Sequence, residues 1–178
     1  PSIIADCDKR YEYDEAVPMV LEALAPLGKD YTDALKKGYE SGWVDVYPTP
    51  GKRGGAYSGG AYDTAPYMLL NYNGTFDDVS TLAHESGHSM HSYYSCKSNS
   101  FQNSGYTIFV AEVPSTVNEL LLANDRLAKA TDKKEKLFIL NQLLEVFKGT
   151  LFRQTMFAKF EKVLYSLCES GETLTADL

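Results

Sequence analysis

Five residues constrain this chain more than any others: His84-Glu85-Ser86-Gly87-His88. The pattern is useful only on a helix. There, residues four apart lie about 40° from one another around the axis and about 6 Å along it. Two imidazoles so placed can converge on one zinc ion, each at about 2.0–2.1 Å. Glu85 lies about 100° round from His84, so it flanks such an ion instead of ligating it and can reach a water there. Gly87 leaves room for a strand or substrate to approach the helix closely. The motif thus demands a helix, and apolar Leu82-Ala83 just before it give that helix a side to bury.

The surrounding sequence supplies the helix. A Thr-x-x-Asp capping pattern, Thr75 to Asp78, opens a segment running to about Ser95. Polar residues Lys97 to Gly105 read as a loop, and Tyr106 to Ala130 as a long helix interrupted by Pro114. Asp132 to about Cys168 is a further helix, with Leu137, Leu140, Leu144, Phe147 and Leu151 along one face. Upstream, Val17, Val20, Leu21, Leu24 and Leu27 recur at helical spacing, and Asp30 to Ser41 offers a second helix. Between them lies a stretch of different character. Val44-Asp45-Val46-Tyr47 and Pro66 to Tyr72 read as strands, separated by the turn Pro48-Thr49-Pro50-Gly51 and a repeated Gly-Gly-Ala-Tyr at 54–57 and 59–62. The expected fold is mainly α: helices over 14–41, a small antiparallel β-sheet over 43–74, zinc-site helices over 75–130 and a long helix over 132–168. No linker divides residues 1–178 into two domains.

A zinc ion bound by two histidines needs a third protein ligand and an open position for water. All three histidines of the chain fall at 84, 88 and 91. His91 shares a face with His84 but sits about 10.5 Å further along the axis, too far for one ion that also binds His88. It also follows His88 by only three residues, unlike the longer spacing of a third-histidine motif. His91 therefore reads as a packed residue or one supporting the site. Glu112, on the next helix, is the better third ligand, because the 97–105 loop lets that helix fold back beside the first. Glu119, seven residues on, shares the face of Glu112. It either orients His84 from behind or is merely solvated.

Bulk properties remove other functions. The net charge is −7 and the seventeen basic residues are scattered, which disfavours nucleic acid and anionic membranes. No apolar run approaches the roughly 18 residues of a membrane span. The glycine repeat lacks the lysine and hydroxyl residue of a phosphate-binding loop. It reads either as a mobile loop or as a strand edge that receives a peptide. Three widely spaced cysteines, Cys7, Cys96 and Cys168, suit reduced thiols in a cytosol. Pro1 is not a natural start, residues 1–6 do not resemble a signal peptide, and Thr175 looks like the cap of a helix cut short at Leu178. The chain is therefore expected to be a piece of a longer protein.

At these residues the sequence closely resembles the oligoendopeptidase F group of the thimet-oligopeptidase-like M3 zinc peptidases. The matching elements are Val44 to Pro48, Lys52 to Ser58, Pro66 to Gly74, His84 to His91 and Phe109 to Glu119, in the family's order and spacing. The resemblance implies a mostly helical, cytoplasmic enzyme with one zinc ion held by His84, His88 and Glu112, and with Glu85 as base. It also implies an active site in a channel that admits short peptides and excludes folded proteins. A histidine and tyrosines that the family uses to bind substrate and oxyanion have no counterpart before Leu178. The expected activity is zinc-dependent endopeptidase hydrolysis of short peptides, with residues 1–178 catalytically incomplete by themselves. Two rivals are a silent zinc-binding module and a helical domain in which the motif has no role.

Overall fold

A computed structural model describes residues 9–175, and its contacts group them into two compact units, one within Cys7–Ala130 and one within Thr131–Leu178. Cys7 and the helix expected beyond Thr175 lie outside the described residues.

In the first unit, α1 (Tyr13–Ala23) is followed by a 3₁₀ turn (Ala25–Leu27) and α2 (Lys29–Glu40). Ala16, Val20, Leu24 and Leu35 are fully buried; of the apolar residues spaced along the sequence, Val20 and Leu24 face the core, Val17 and Leu21 are half-buried and Leu27 is exposed. Three short strands follow: β1 (Val44–Asp45), β2 (Tyr57–Gly59) and β3 (Tyr67–Leu69). The sheet differs from the antiparallel one expected. β3 is central, antiparallel to β2 but parallel to β1, with Val44 opposite Met68 and Ser58 opposite Met68 on the other side. The reason lies in the connection. A tight hairpin forces antiparallel pairing, whereas β1 reaches β3 only after an excursion through the Pro48–Gly51 turn and β2. Lys52 secures that excursion, donating to the Asp45 and Tyr47 carbonyls at 3.1 and 2.7 Å and pairing with the Asp45 carboxylate at 3.0 Å.

Helix α3 (Phe76–Ser98) begins at the expected capping box: Thr75 Oγ1 accepts from the Asp78 N–H, and Asp78 accepts from the Thr75 N–H. Val79, Leu82, Ala83, Ser86 and Met90 have no exposed surface, so this helix is the centre of the unit. Helix α4 (Ile108–Lys129) returns along it with Ala111, Ser115, Asn118 and Leu122 buried, spaced by four, three and four residues. Pro114 does not interrupt α4 as the sequence suggested. A helix-interior proline costs about 3 kcal/mol, and the buried seam on α3 outweighs it.

The second unit holds α5 (Lys133–Phe147), a π-turn (Lys148–Phe152) and α6 (Arg153–Glu169), so the long helix over 132–168 is present with one widened turn. Asp132 caps α5 by accepting from the Lys134 and Glu135 N–H groups. Leu144, Phe147 and Leu151 are half or more exposed. No described helix is long and apolar enough to cross a membrane.

Candidate metal centre

The crossing of α3 and α4 is unusually close, and Gly87 makes it so. A Cβ at Gly87 would stand 2.6 Å from the Pro114 carbonyl oxygen and from Ser115 Cα. The glycine therefore admits a neighbouring helix, not the strand or substrate expected from the sequence. Asn118 fixes the same crossing from the side. Its buried amide donates to the Ala83 carbonyl at 3.0 Å and to the Tyr31 hydroxyl at 3.1 Å, joining α4 to α3 and α2. Ser86 bonds Tyr39 at 2.6 Å, a second tie from α2.

This packing carries Glu112 to the histidines. His84 Nε2 and His88 Nε2 are 3.1 Å apart, and Glu112 Oε2 lies 3.5 Å from each. Among the described residues, these three form a group that could hold a metal ion. Each donor is supported from behind. Glu119 Oε1 contacts His84 Nδ1, which leaves Nε2 facing the cluster. The Ala111 backbone bonds His88, and Ser115 Oγ donates to Glu112 Oε2 at 2.8 Å. Such outer partners fix ring orientation and donor strength. Of the two sequence readings of Glu119, the geometry selects the one in which it orients His84. His91 stands outside the cluster, stacked on Tyr106 at 3.9 Å between ring centroids.

Electrostatics differ between the residues. Burial lowers the His84 pKa, but the hydrogen bond and charge of Glu119, backed by Glu85 and Glu112, more than offset it and leave the pKa raised. His88 is lowered, by burial and then by His84. Glu85 is 6% exposed, and its Oε2 is buried without a hydrogen-bond partner. Burial raises its pKa, the Glu112 and Glu119 charges add to this, and His84 and a backbone hydrogen bond from Ser58 oppose it. Ser58 and Ala111 contribute through their backbones, which leave no side-chain signal in a sequence. Asn118 has such a signal only as a polar residue on an otherwise apolar seam.

Because Glu119 holds His84 through Nδ1, replacing it by alanine should weaken metal affinity about 10–100-fold. A competition titration with a chromogenic chelator measures this, and unchanged affinity would leave Glu119 without a role in the site.

The model of peptidase family M3 matches residues 18–178. This chain belongs to peptidase family M3. Among curated relatives, the M3 chain is 49% identical over 176 residues to oligopeptidase PepF of Bacillus subtilis, covering 99% of itself and 26% of that protein. It is 42% identical to the chromosomal oligoendopeptidase F of Lactococcus lactis, covering 98% of itself and 29% of the relative. It thus spans under a third of the length of those M3 relatives. A crystal structure of a candidate peptidase from Chlamydophila abortus superimposes with a TM-score of 0.82 at 48% identity, over 97% of this chain and 29% of that one. Oligoendopeptidase-F from Enterococcus faecium matches with a TM-score of 0.53 at 30% identity, over 96% of this chain and 25% of its own.

Proposed function

We propose that residues 84–119 are the zinc and base machinery of an oligoendopeptidase that hydrolyses short peptides in the cytosol. One observation carries the reading. Three donors each about 2.0–2.1 Å from a tetrahedral ion stand about 3.4 Å apart, and the His84, His88 and Glu112 atoms are separated by 3.1, 3.5 and 3.5 Å. Two neutral imidazoles and a carboxylate are also a donor set that zinc favours in catalytic sites. When bound, zinc supplies Lewis acidity that lowers the pKa of water toward about 7 and polarises a carbonyl.

The chain's own groups account for the proton traffic. Glu85 follows the first histidine, is held by the Ser58 N–H, and has one oxygen free of protein partners. It accepts the proton of the attacking water as the new C–O bond forms. It then hands that proton to the amine nitrogen as the C–N bond breaks. β2 is the edge strand beside Glu85, and its outer side can accept an extended peptide as an added strand. The unpaired thiols Cys96 and Cys168 suit the cytosolic assignment.

Metal removal tests this. The full-length protein that carries these residues should contain one zinc per chain, lose cleavage of a quenched fluorescent peptide on chelation, and regain it when zinc is restored. Zinc at 100 times its Kd should raise stability by about 2.7 kcal/mol. Cleavage that survives complete metal removal would overturn the reading. Stoichiometric zinc without cleavage would assign a silent zinc module instead.

A further inference from the structure

A cavity of about 660 Å3 opens beside β2 and runs along α3 beyond His88. It begins at Ser58, whose backbone bonds Glu85 and whose hydroxyl bonds Ser89 on α3 at 2.7 Å. Its floor includes Ser92 and Cys96, one and two turns after His88 on the same side of the helix. Its far walls are tied to α3. Tyr62 donates to the Asn99 carbonyl at 2.7 Å, Ser95 to the Ser104 carbonyl at 2.7 Å, and Ser92 bonds Tyr106 at 2.5 Å. These cross-links make the cavity a built feature and not a gap between loops.

We propose that this cavity is a substrate subsite that takes an aromatic or large aliphatic side chain of the peptide, two to four residues from the bond that is cleaved. The proposal rests on the peptidase reading above. Distance sets the position. Ser92 and Cys96 lie about 6 and 12 Å beyond His88 along the axis, and an extended peptide advances about 3.3 Å per residue. Chemistry sets the side chain. Tyr62 and Phe101 meet edge to face with centroids 5.6 Å apart, and Phe101 is 70% exposed at the opening. Asp63 and Lys97 carry opposite charges, so the lining has no net charge to select a charged residue. The volume falls among small-ligand sites of about 300–1,000 Å3, enough for a bulky side chain with its backbone.

The test scans phenylalanine against glycine at each position of a quenched peptide, four residues to either side of the cleaved bond, with the zinc-loaded full-length protein. One position two to four residues away should favour phenylalanine about 10–100-fold in kcat/KM, the gain expected from burying an aromatic side chain. Cys96→Trp fills the cavity and should bring that ratio to within about twofold of one. Cys96 also provides a readout that does not depend on that variant folding. In Glu85→Gln, the phenylalanine peptide should slow iodoacetamide labelling of Cys96 at least fivefold, with exposed Cys168 as internal reference. The glycine peptide should not. A flat scan, or Cys96 labelling indifferent to the peptide, overturns the subsite. If no peptide is cleaved at any position, the peptidase reading fails, and Cys96 protection still decides whether peptide occupies the cavity.

Discussion

In the full-length protein, replacing Glu85 with glutamine is expected to abolish peptide cleavage while zinc remains bound, and to make the metal-free protein more stable. The two effects share one cause. A carboxylate that serves as the proposed base gains basicity in a dry place, and a carboxylate in a dry place destabilises the fold that holds it. Loss of general-base catalysis alone should reduce kcat by about 10²–10⁴-fold. The stability effect follows from burial. Glu85's folded pKa is raised above the ordinary value of about 4.3. The native state therefore holds this proton more tightly than the unfolded chain does. Its contribution is fully present below the unfolded pKa and is lost as pH rises through the folded one. Glutamine cannot ionise, so its advantage should be largest at neutral pH and vanish below about pH 4. The gain comes from removing the charge alone, because the glutamine amide still leaves one buried atom without a partner, so it should be small at pH 7 and absent at pH 4. Urea unfolding of both metal-free proteins at pH 4 and pH 7 measures it. Normal turnover in the variant would remove Glu85 from the role of base.

The second large effect is expected at Gly87, through distance instead of charge. Gly87→Ala places a methyl group 2.6 Å from two Pro114–Ser115 backbone atoms. Backbone cannot rotate away as a side chain can, so α3 and α4 must part. Overpacking of this kind costs about 1–3 kcal/mol, against up to about 1 kcal/mol gained from the better helix propensity of alanine. Stability alone could therefore change little. Metal affinity is the cleaner measurement, because His84 and His88 ride on one helix and Glu112 on the other. A zinc affinity at least tenfold weaker is expected from a competition titration. Unchanged affinity would mean that the helix crossing does not set the ligand geometry.

These two residues also show which parts of the site can be read from the sequence. His84, Glu85 and His88 are legible because one helix fixes their relation, and the Thr75–Asp78 box announces where that helix begins. Glu112 is legible because helix rise excludes His91 and a loop of suitable length brings the next helix back. What Gly87 makes room for is not legible. A glycine's neighbour is decided by tertiary packing, and here it is α4. The parallel pairing of β1 with β3 is hidden for a similar reason: strand-forming residues at 44–47 and 66–72 carry no mark of direction. Glu119 could be assigned only once α4 had a rotation about its axis, which Asn118 and the Ala111–Leu122 seam provide.

The three-stranded sheet has a consequence for how this protein meets other chains. Its two rims are treated differently. β1 is only two residues long, and its Asp45 carbonyl is already taken by the Leu70 N–H just after β3 and by Lys52, so that rim offers little to a newcomer. The β2 rim is open but only three residues long, and one of its N–H groups is already claimed by Glu85. On the peptidase reading proposed above, a short extended peptide can find its partners there. An unfolded segment in search of a long, flat edge cannot, so the rim that invites a guest does not seed aggregation.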